Sequence, residues 1–359
     1  MRIFQTFILP DDLVMHHKLS FAAANFSRNL IKGDGFDTVY SLMPLNFRDE
    51  LPLITEDGYD VVYSNWRKKN SALAKLAIFQ EQWKVFKQVK KSDSLWLYNL
   101  NIMNALLFIL VKFFKSSVKL NVIILDFTPA MSWKNQNYWY LKLINRADGT
   151  ICLAKSPLFK IKNTALLPGV VPPVCSDNPK IENPNKEFLL SGVISSVIAS
   201  TPMVLRAFSQ MPECILHIMG NVLEGENLIK EYAARYPNIN YHGSVSFKNY
   251  LDILHKVTYQ LSTRDDNYPE NQCNFPSKII ETLLHNRIVI STISYKQLDG
   301  VKYFKVDSNF ESFKNRILKI CKMPTEDLMQ YANQTGNVRE KFSTKVWNKT
   351  MTDIENYSK

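Results

Sequence analysis

Lys278 and Glu281 stand three residues apart, just after Pro276 and Ser277, in the run QCNFPSKIIETLLHNRIVI at 272–290. An ammonium, a carboxylate and a Pro-opened helix in that order are suited to gripping a nucleotide diphosphate. Pro276 fits the first helical turn, where its missing N–H costs nothing, so the cap falls on Phe275 or Asn274. The amides of the Pro276–Ser277 turn and the positive end of the helix dipole then form an anion site, and Lys278 adds a formal charge. Ser277, Lys278 and Glu281 share an exposed face, while Ile279, Ile280, Leu283 and Leu284 turn to the core. One turn in, Glu281 is placed to accept two hydrogen bonds from a ribose diol. A surface Lys–Glu pair on an ordinary amphipathic helix has the same spacing.

Positioning such a cluster takes strands alternating with helices. Apolar runs of strand length alternate with helical patterns along the whole chain, which indicates βα units and parallel sheets. Strands are predicted at Arg2 to Ile8, Thr38 to Met43, Val61 to Ser64, Ser94 to Tyr98, Leu120 to Leu125 and Gly149 to Leu153. A second series runs from Glu187 to Leu190 through Ile215 to Met219, Ile239 to His242, Tyr259 to Thr263 and Ile288 to Ser291, and ends at Tyr303 to Val306. Pro168, Pro172, Pro173, Pro179 and Pro184 break the alternation between the two series. The expected organisation is therefore a Rossmann-like domain over 1–170, a linker over 171–186, a second Rossmann-like domain over 187–340, and a C-terminal helix over 341–359 that packs back toward the first. Two doubly wound sheets in sequence imply a ligand site at the carboxyl ends of the strands.

Composition bounds the rest. The chain has 359 residues and is 46% hydrophobic, enough for two cores. Five scattered cysteines without a C-x-x-C pair argue against a disulfide framework or a zinc site and for a reduced, cytoplasmic setting. MRIFQTFILPDD reads as a buried strand and not as a signal peptide, and no stretch reaches the length of a spanning helix. The formal net charge of +11 is lopsided, with 22 Lys and Arg against 13 Asp and Glu in residues 1–170. Trp66 to Lys91 holds eight of those cations and one acid, Glu81, and Ala72, Leu76, Phe79, Trp83 and Phe86 recur there at helical spacing. The expected helix buries that stripe in the core and turns its lysines to water or to anionic lipid headgroups. No RNA-binding sheet signature, zinc finger or recognition helix is present, so nucleic acid is not an expected partner.

The second half resembles the retaining glycosyltransferases of the GT-B fold, in particular the family 4 group (glycosyl transferases group 1) that builds bacterial capsule, O-antigen and other exopolysaccharides. The resemblance is carried by the order and spacing of LLSG at 189–192, RAF at 206–208, ILHIMGN at 215–221, NINYHGSV at 238–245, LSTR at 261–264, NFPSKIIETLL at 274–284 and VIST at 289–292. In the first half, RADGTICLAKS at 146–156 and LLPGVVPP at 166–173 look like the closing strand and the turn into the linker. The resemblance implies an α/β fold of two facing Rossmann-like domains and transfer of a hexose from a nucleotide sugar to a lipid-linked oligosaccharide, with no cofactor and no metal. No D-x-D triplet occurs.

Carried over by motif position, it implies that Glu281 holds the ribose and that Lys278, Arg264, Asn274, Phe275, Pro276 and Ser277 serve the diphosphate. Gly192 lets the backbone approach the phosphates, and Gly243, Ser244 and Val245 border the base. Asp126, His16 and Glu270 fall to the acceptor or the donor sugar. Arg264 reads equally as a loop arginine paired with Asp265 or Asp266, and Asp126 as a turn cap. The chain departs from the family pattern in three places, the first being ILPDDLVMHHKLS at 8–20, with His16 and His17, where relatives carry a Gly-rich loop after the first strand. Cys273 stands where a second glutamate often precedes Glu281 by eight positions, and SSVIASTP follows Gly192 where relatives carry an Arg/Lys pair. An inverting transferase, a nucleotide-sugar 2-epimerase and a non-catalytic partner subunit share the architecture. The implied setting is the cytoplasmic face of the plasma membrane.

Overall fold

Thirteen strands in the described residues form two sheets in which every pairing is parallel. The computed structural model describes residues 1–10, 13–14, 21–43, 60–64, 72–172, 178–265 and 267–357. Met1–Cys175, Cys273–Phe275 and Phe342–Lys359 make one compact unit, and Ser176–Gln272 with Pro276–Lys341 make the other.

The first unit holds β1 (Arg2–Thr6), β2 (Thr38–Ser41), β3 (Val61–Tyr63), β4 (Ser94–Tyr98), β5 (Lys119–Ile124), β6 (Gly149–Cys152) and β7 (Thr164–Leu166), in the spatial order β3-β2-β1-β4-β5-β6-β7. A parallel sheet is covered on both faces, and its central strands accordingly carry apolar runs, as in Leu95, Trp96 and Leu97 of β4 and Val122, Ile123 and Ile124 of β5. The C-terminal helix Thr344–Asn356 belongs to this unit. Its Trp347 is fully buried, donates to the Gly169 carbonyl at 2.8 Å and meets Phe26 edge-on at 5.4 Å between ring centroids. Arg2 grips Glu355 through two nitrogens at 2.7 Å, and the Trp96 indole donates to the same carboxylate.

The helix Ala72–Gln88 corrects the sequence reading. Its core face is made of Gln82, Val85 and Val89, whereas Leu76, Phe79 and Trp83 are 53%, 38% and 45% exposed. The periodicity located a helix, but of its stripe Phe86 packs against the core while Leu76, Phe79 and Trp83 do not; the Ala72 side chain lies outside the described residues. Gln82 can occupy the core side because its amide is spent on both ends: it accepts from the Leu107 N–H at 2.9 Å and donates to the Ile102 carbonyl at 3.2 Å.

The second unit holds β8 (Glu187–Ile194), β9 (Ile215–Val222), β10 (Ile239–Gly243), β11 (Tyr259–Ser262), β12 (Ile288–Ser291) and β13 (Phe304–Lys305), in the order β10-β9-β8-β11-β12-β13. The chain winds outward from β8 through β9 to β10, then restarts on the other side of β8 with β11. That restart is the topological switch point, where the connections part and leave a crevice at the carboxyl ends of β8 and β11. Two further helices, Thr325–Ala332 and Thr335–Phe342, cover a stretch for which the sequence reading named no element.

Candidate functional site

β8 brings Ser191 and Gly192 to the switch point, and β11 delivers Arg264 two residues beyond its end. Gly192 has φ +101°, a conformation L side chains rarely adopt, and a Cβ built on it meets no described atom within 4 Å. The opposite holds one strand over. Gly220 of β9, in register with Gly192, has φ +138°, and a Cβ there would lie 1.9 Å from the Gly192 carbonyl oxygen. Gly220 is what lets β8 and β9 approach, and Gly192 keeps the space above the strand open. The GN pair of ILHIMGN was the signal for Gly220, too common to be read alone.

Lys278 reaches this point from the helix Lys278–Leu284, its Nζ donating to the Ser191 carbonyl at 2.6 Å. The side chain is half-buried, and not exposed as the spacing suggested. Burial, with the Arg264 charge next, lowers its pKa to about 7. Arg264 is half-buried too. Its Nη1 faces Asn271 Oδ1 at 3.4 Å, and its backbone N–H donates to Thr292 Oγ1 at 2.6 Å. Of the acids weighed as its partners, Asp265 accepts from Asn267, and Asp266 lies outside the described residues.

Glu281 lies one turn on, half-buried, and accepts from the Tyr250 hydroxyl at 2.9 Å. Burial raises its pKa, and the Tyr250 hydrogen bond works the other way. Tyr250 projects from the helix Phe247–Lys256, where nothing in an amphipathic pattern separates it from a packing aromatic. Asn271 was weighed with Glu270 and Gln272 for the donor sugar, in the place of the glutamate that Cys273 displaces, and not as a neighbour of Arg264. It is buried and ties the loop after β11 by donating to the Asp265 carbonyl at 2.7 Å and the Val197 carbonyl at 3.3 Å.

The helix start differs from its expected form. Regular helix begins at Lys278 with Ser277 in the cap position, and Pro276 precedes the cap. The turn opens at Pro276, whose carbonyl accepts from Ile279 at 3.0 Å, and Ser277 then accepts from Ile280 and Glu281. Proline has no N–H, so the donors the turn offers outward are the Ser277 and Lys278 amides, which precede its first internal donor, the Ile279 N–H. Asn274 and Phe275 belong to the first unit. Asn274 Oδ1 accepts from the Phe127 N–H at 2.6 Å, and Phe275 is buried.

Gly243 has φ +67°, Ser244 Oγ donates to the Gly220 carbonyl at 3.1 Å, and Val245 packs beside Leu189 and Met219. That turn therefore lies next to the β8–β9 end of the crevice. Asp126 is exposed just past β5 in the first unit, and its charge helps to hold the buried Tyr98 phenol in its neutral form. Glu270 falls in the short helix Pro269–Cys273, and its side chain lies outside the described residues, as do His16 and His17. Among the described residues no group of His, Cys, Asp and Glu is arranged to hold a metal ion.

No family model matches the chain, and no curated protein does. Solved structures do. HepE from Anabaena in complex with UDP is 14% identical with a TM-score of 0.67, over 98% of this chain and 99% of that one. The E. coli trehalose-6-phosphate protein bound with UDP-2-fluoro glucose is 9% identical with a TM-score of 0.66, over 100% of both chains. A variant of S. aureus TarM in complex with fondaparinux, alpha-GlcNAc-glycerol and UDP is 14% identical with a TM-score of 0.55, over 79% of this chain and 59% of that one. The chain spans about three fifths of TarM's length. At such identities the likeness shows the fold, and this chain has the two-domain α/β architecture of GT-B proteins, the fold class expected from its sequence.

Proposed function

We propose that the chain is a retaining glycosyltransferase that moves a hexose from a nucleotide diphosphate sugar to a hydroxyl of a lipid-linked glycan, in the assembly of capsule, O-antigen or exopolysaccharide at an anionic membrane surface. One observation carries this reading: Lys278 and Arg264 converge beside the open backbone of Gly192 at the switch point of the second sheet. The solved structures of the same fold that hold UDP or a UDP sugar support a nucleotide-sugar donor.

The chemistry asks mainly for stabilisation of a departing diphosphate. The bond from the anomeric carbon to the diphosphate oxygen breaks as a bond to the acceptor oxygen forms on the same face, and the acceptor proton passes to a phosphate oxygen. No side-chain nucleophile is required. Two cations and the Ser277 and Lys278 amides, fixed before the charge develops, supply the help a metal supplies elsewhere. Glu281 takes the ribose diol, with Tyr250 setting the orientation of its carboxylate. Gly243, Ser244 and Val245 take the base. Asp126 is assigned to the acceptor.

The test is release of nucleoside diphosphate by the purified chain from uridine, guanosine and thymidine diphosphate sugars without added metal. Lys278→Ala is expected to slow release on the order of 100-fold, the cost of deleting one preorganised charge partner, with the thermal transition retained. Equal turnover by the variant would falsify the reading. Product NMR decides retention against inversion, and conversion of the donor sugar to its 2-epimer marks an epimerase.

A further inference from the structure

The stripe Leu76, Phe79 and Trp83 is the largest unexplained feature of the first unit. All three point away from the core side of their helix, which is Gln82, Val85 and Val89. Lys115, at the end of the neighbouring helix Ala105–Phe114, donates to the Phe86 and Val89 carbonyls and lies 4.3 Å over the Phe86 ring, so the two helices end side by side. Phe113 and Phe114 stand at that end, 68% and 74% exposed.

Charge identifies the occupant. Lys84, Lys87, Lys90 and Lys91 are all exposed around the stripe, and the one acid of the segment, Glu81, is taken by Lys84 at 2.5 Å. The Lys87 ammonium lies 6.0 Å over the Trp83 ring, the arrangement of an aromatic body with a cationic tip beyond it. We infer that Leu76, Phe79 and Trp83, joined by Phe113 and Phe114, form the face by which the chain lies on an anionic lipid bilayer. Apolar groups then enter the headgroup–acyl boundary while the lysines remain among the phosphates. A second copy of this chain fits poorly, because two lysine-rimmed stripes laid together set positive against positive. A bilayer presents the opposite charge everywhere and needs no matching shape. The inference rests on the proposed function only in giving the acceptor's membrane a place to meet the enzyme; the surface itself requires no nucleotide.

The full chain is sedimented with vesicles of equal phosphatidylglycerol and phosphatidylcholine, and with phosphatidylcholine alone, at about 0.1 M salt. The wild type is expected to partition roughly ten-fold better onto the anionic vesicles. The triple variant Leu76→Gln, Phe79→Gln, Trp83→Gln is expected to lose roughly ten-fold of that binding, and Lys84→Gln with Lys87→Gln to lose the preference for anionic lipid. Should the triple variant not fold, Phe113→Gln with Phe114→Gln reads the same surface. Wild type indifferent to vesicles, or folded variants that bind as the wild type does, would overturn the proposal. So would a stripe variant that breaks up an oligomer and still sediments with vesicles. Thermal shifts with UDP, GDP and dTDP on the same samples separate the two readings: failure with all three and vesicle binding intact sinks the transferase and leaves the surface, and the reverse pattern does the opposite.

Discussion

Lys278 carries a charge that the proposed function needs and that burial makes easily lost. With burial and Arg264 bringing its pKa to about 7, much of the side chain is neutral just above that pH. A bound diphosphate favours the ammonium, so binding must take up a proton. The sign follows: affinity is greatest below pH 7 and falls as pH rises through and beyond it, by up to about ten-fold per unit. Calorimetric titration of UDP at pH 6.5 and 8.5, in two buffers of different ionisation enthalpy, reads both the drop and the proton. An affinity flat across that range would mean the ammonium is not a ligand. The proximity of Lys278 and Glu281 was legible in the chain because i, i+3 spacing on a helix dictates it. What each side chain touches was not. Tyr250 and Asn271 arrive from other elements, and side-chain pairing across elements leaves no period in a sequence.

At the level of elements, the β8–β9 pair makes two glycines with opposite requirements. Gly220→Ala sets a Cβ against backbone that cannot step aside, and the expected loss is roughly 3 kcal/mol or more, since packed strands must separate. Gly192→Ala meets no described atom and bears mainly the strain of its positive φ, about 1–2 kcal/mol. Yet its methyl group enters the open space at the switch point, so nucleotide affinity should fall much further than stability. Denaturant melts and UDP titrations of the two variants distinguish these outcomes; a Gly192→Ala protein binding UDP like wild type removes the phosphate from this strand. Most strands were legible because a parallel sheet demands unbroken apolar runs. β7 was not, being three residues with none of them fully buried. The helix Ala72–Gln88 was found and partly misoriented for a specific reason. Periodicity reports that one face is apolar, and a hydrogen-bonded glutamine on the other can still be the buried one.

For the molecule as a whole, the closing helix matters out of proportion to its length. Trp347 fills the first unit at no exposure, and its removal in Trp347→Ala is expected to cost about 3–5 kcal/mol. Glu355 adds a pH signature to the same contact. Burial works to raise its pKa, but hydrogen bonds from Arg2, Trp96 and Ser94 with the Arg2 charge bring it below the usual carboxylate value. A depressed carboxyl contributes stability above its unfolded pKa and loses it as pH falls through the folded one. Acid should therefore weaken the wild type more than a Glu355→Gln variant, read as the change in melting temperature between pH 6 and pH 3.

Because Phe342–Lys359 completes a unit whose main segment ends at Cys175, the polypeptide leaves the ribosome in an inconvenient order. The nascent first unit waits while residues 176–341 are translated, roughly ten to thirty seconds at about 5–20 residues per second. Until then the bed for Trp347 is wet and unfilled, an opening that a chaperone or a protease can find before the closing helix does.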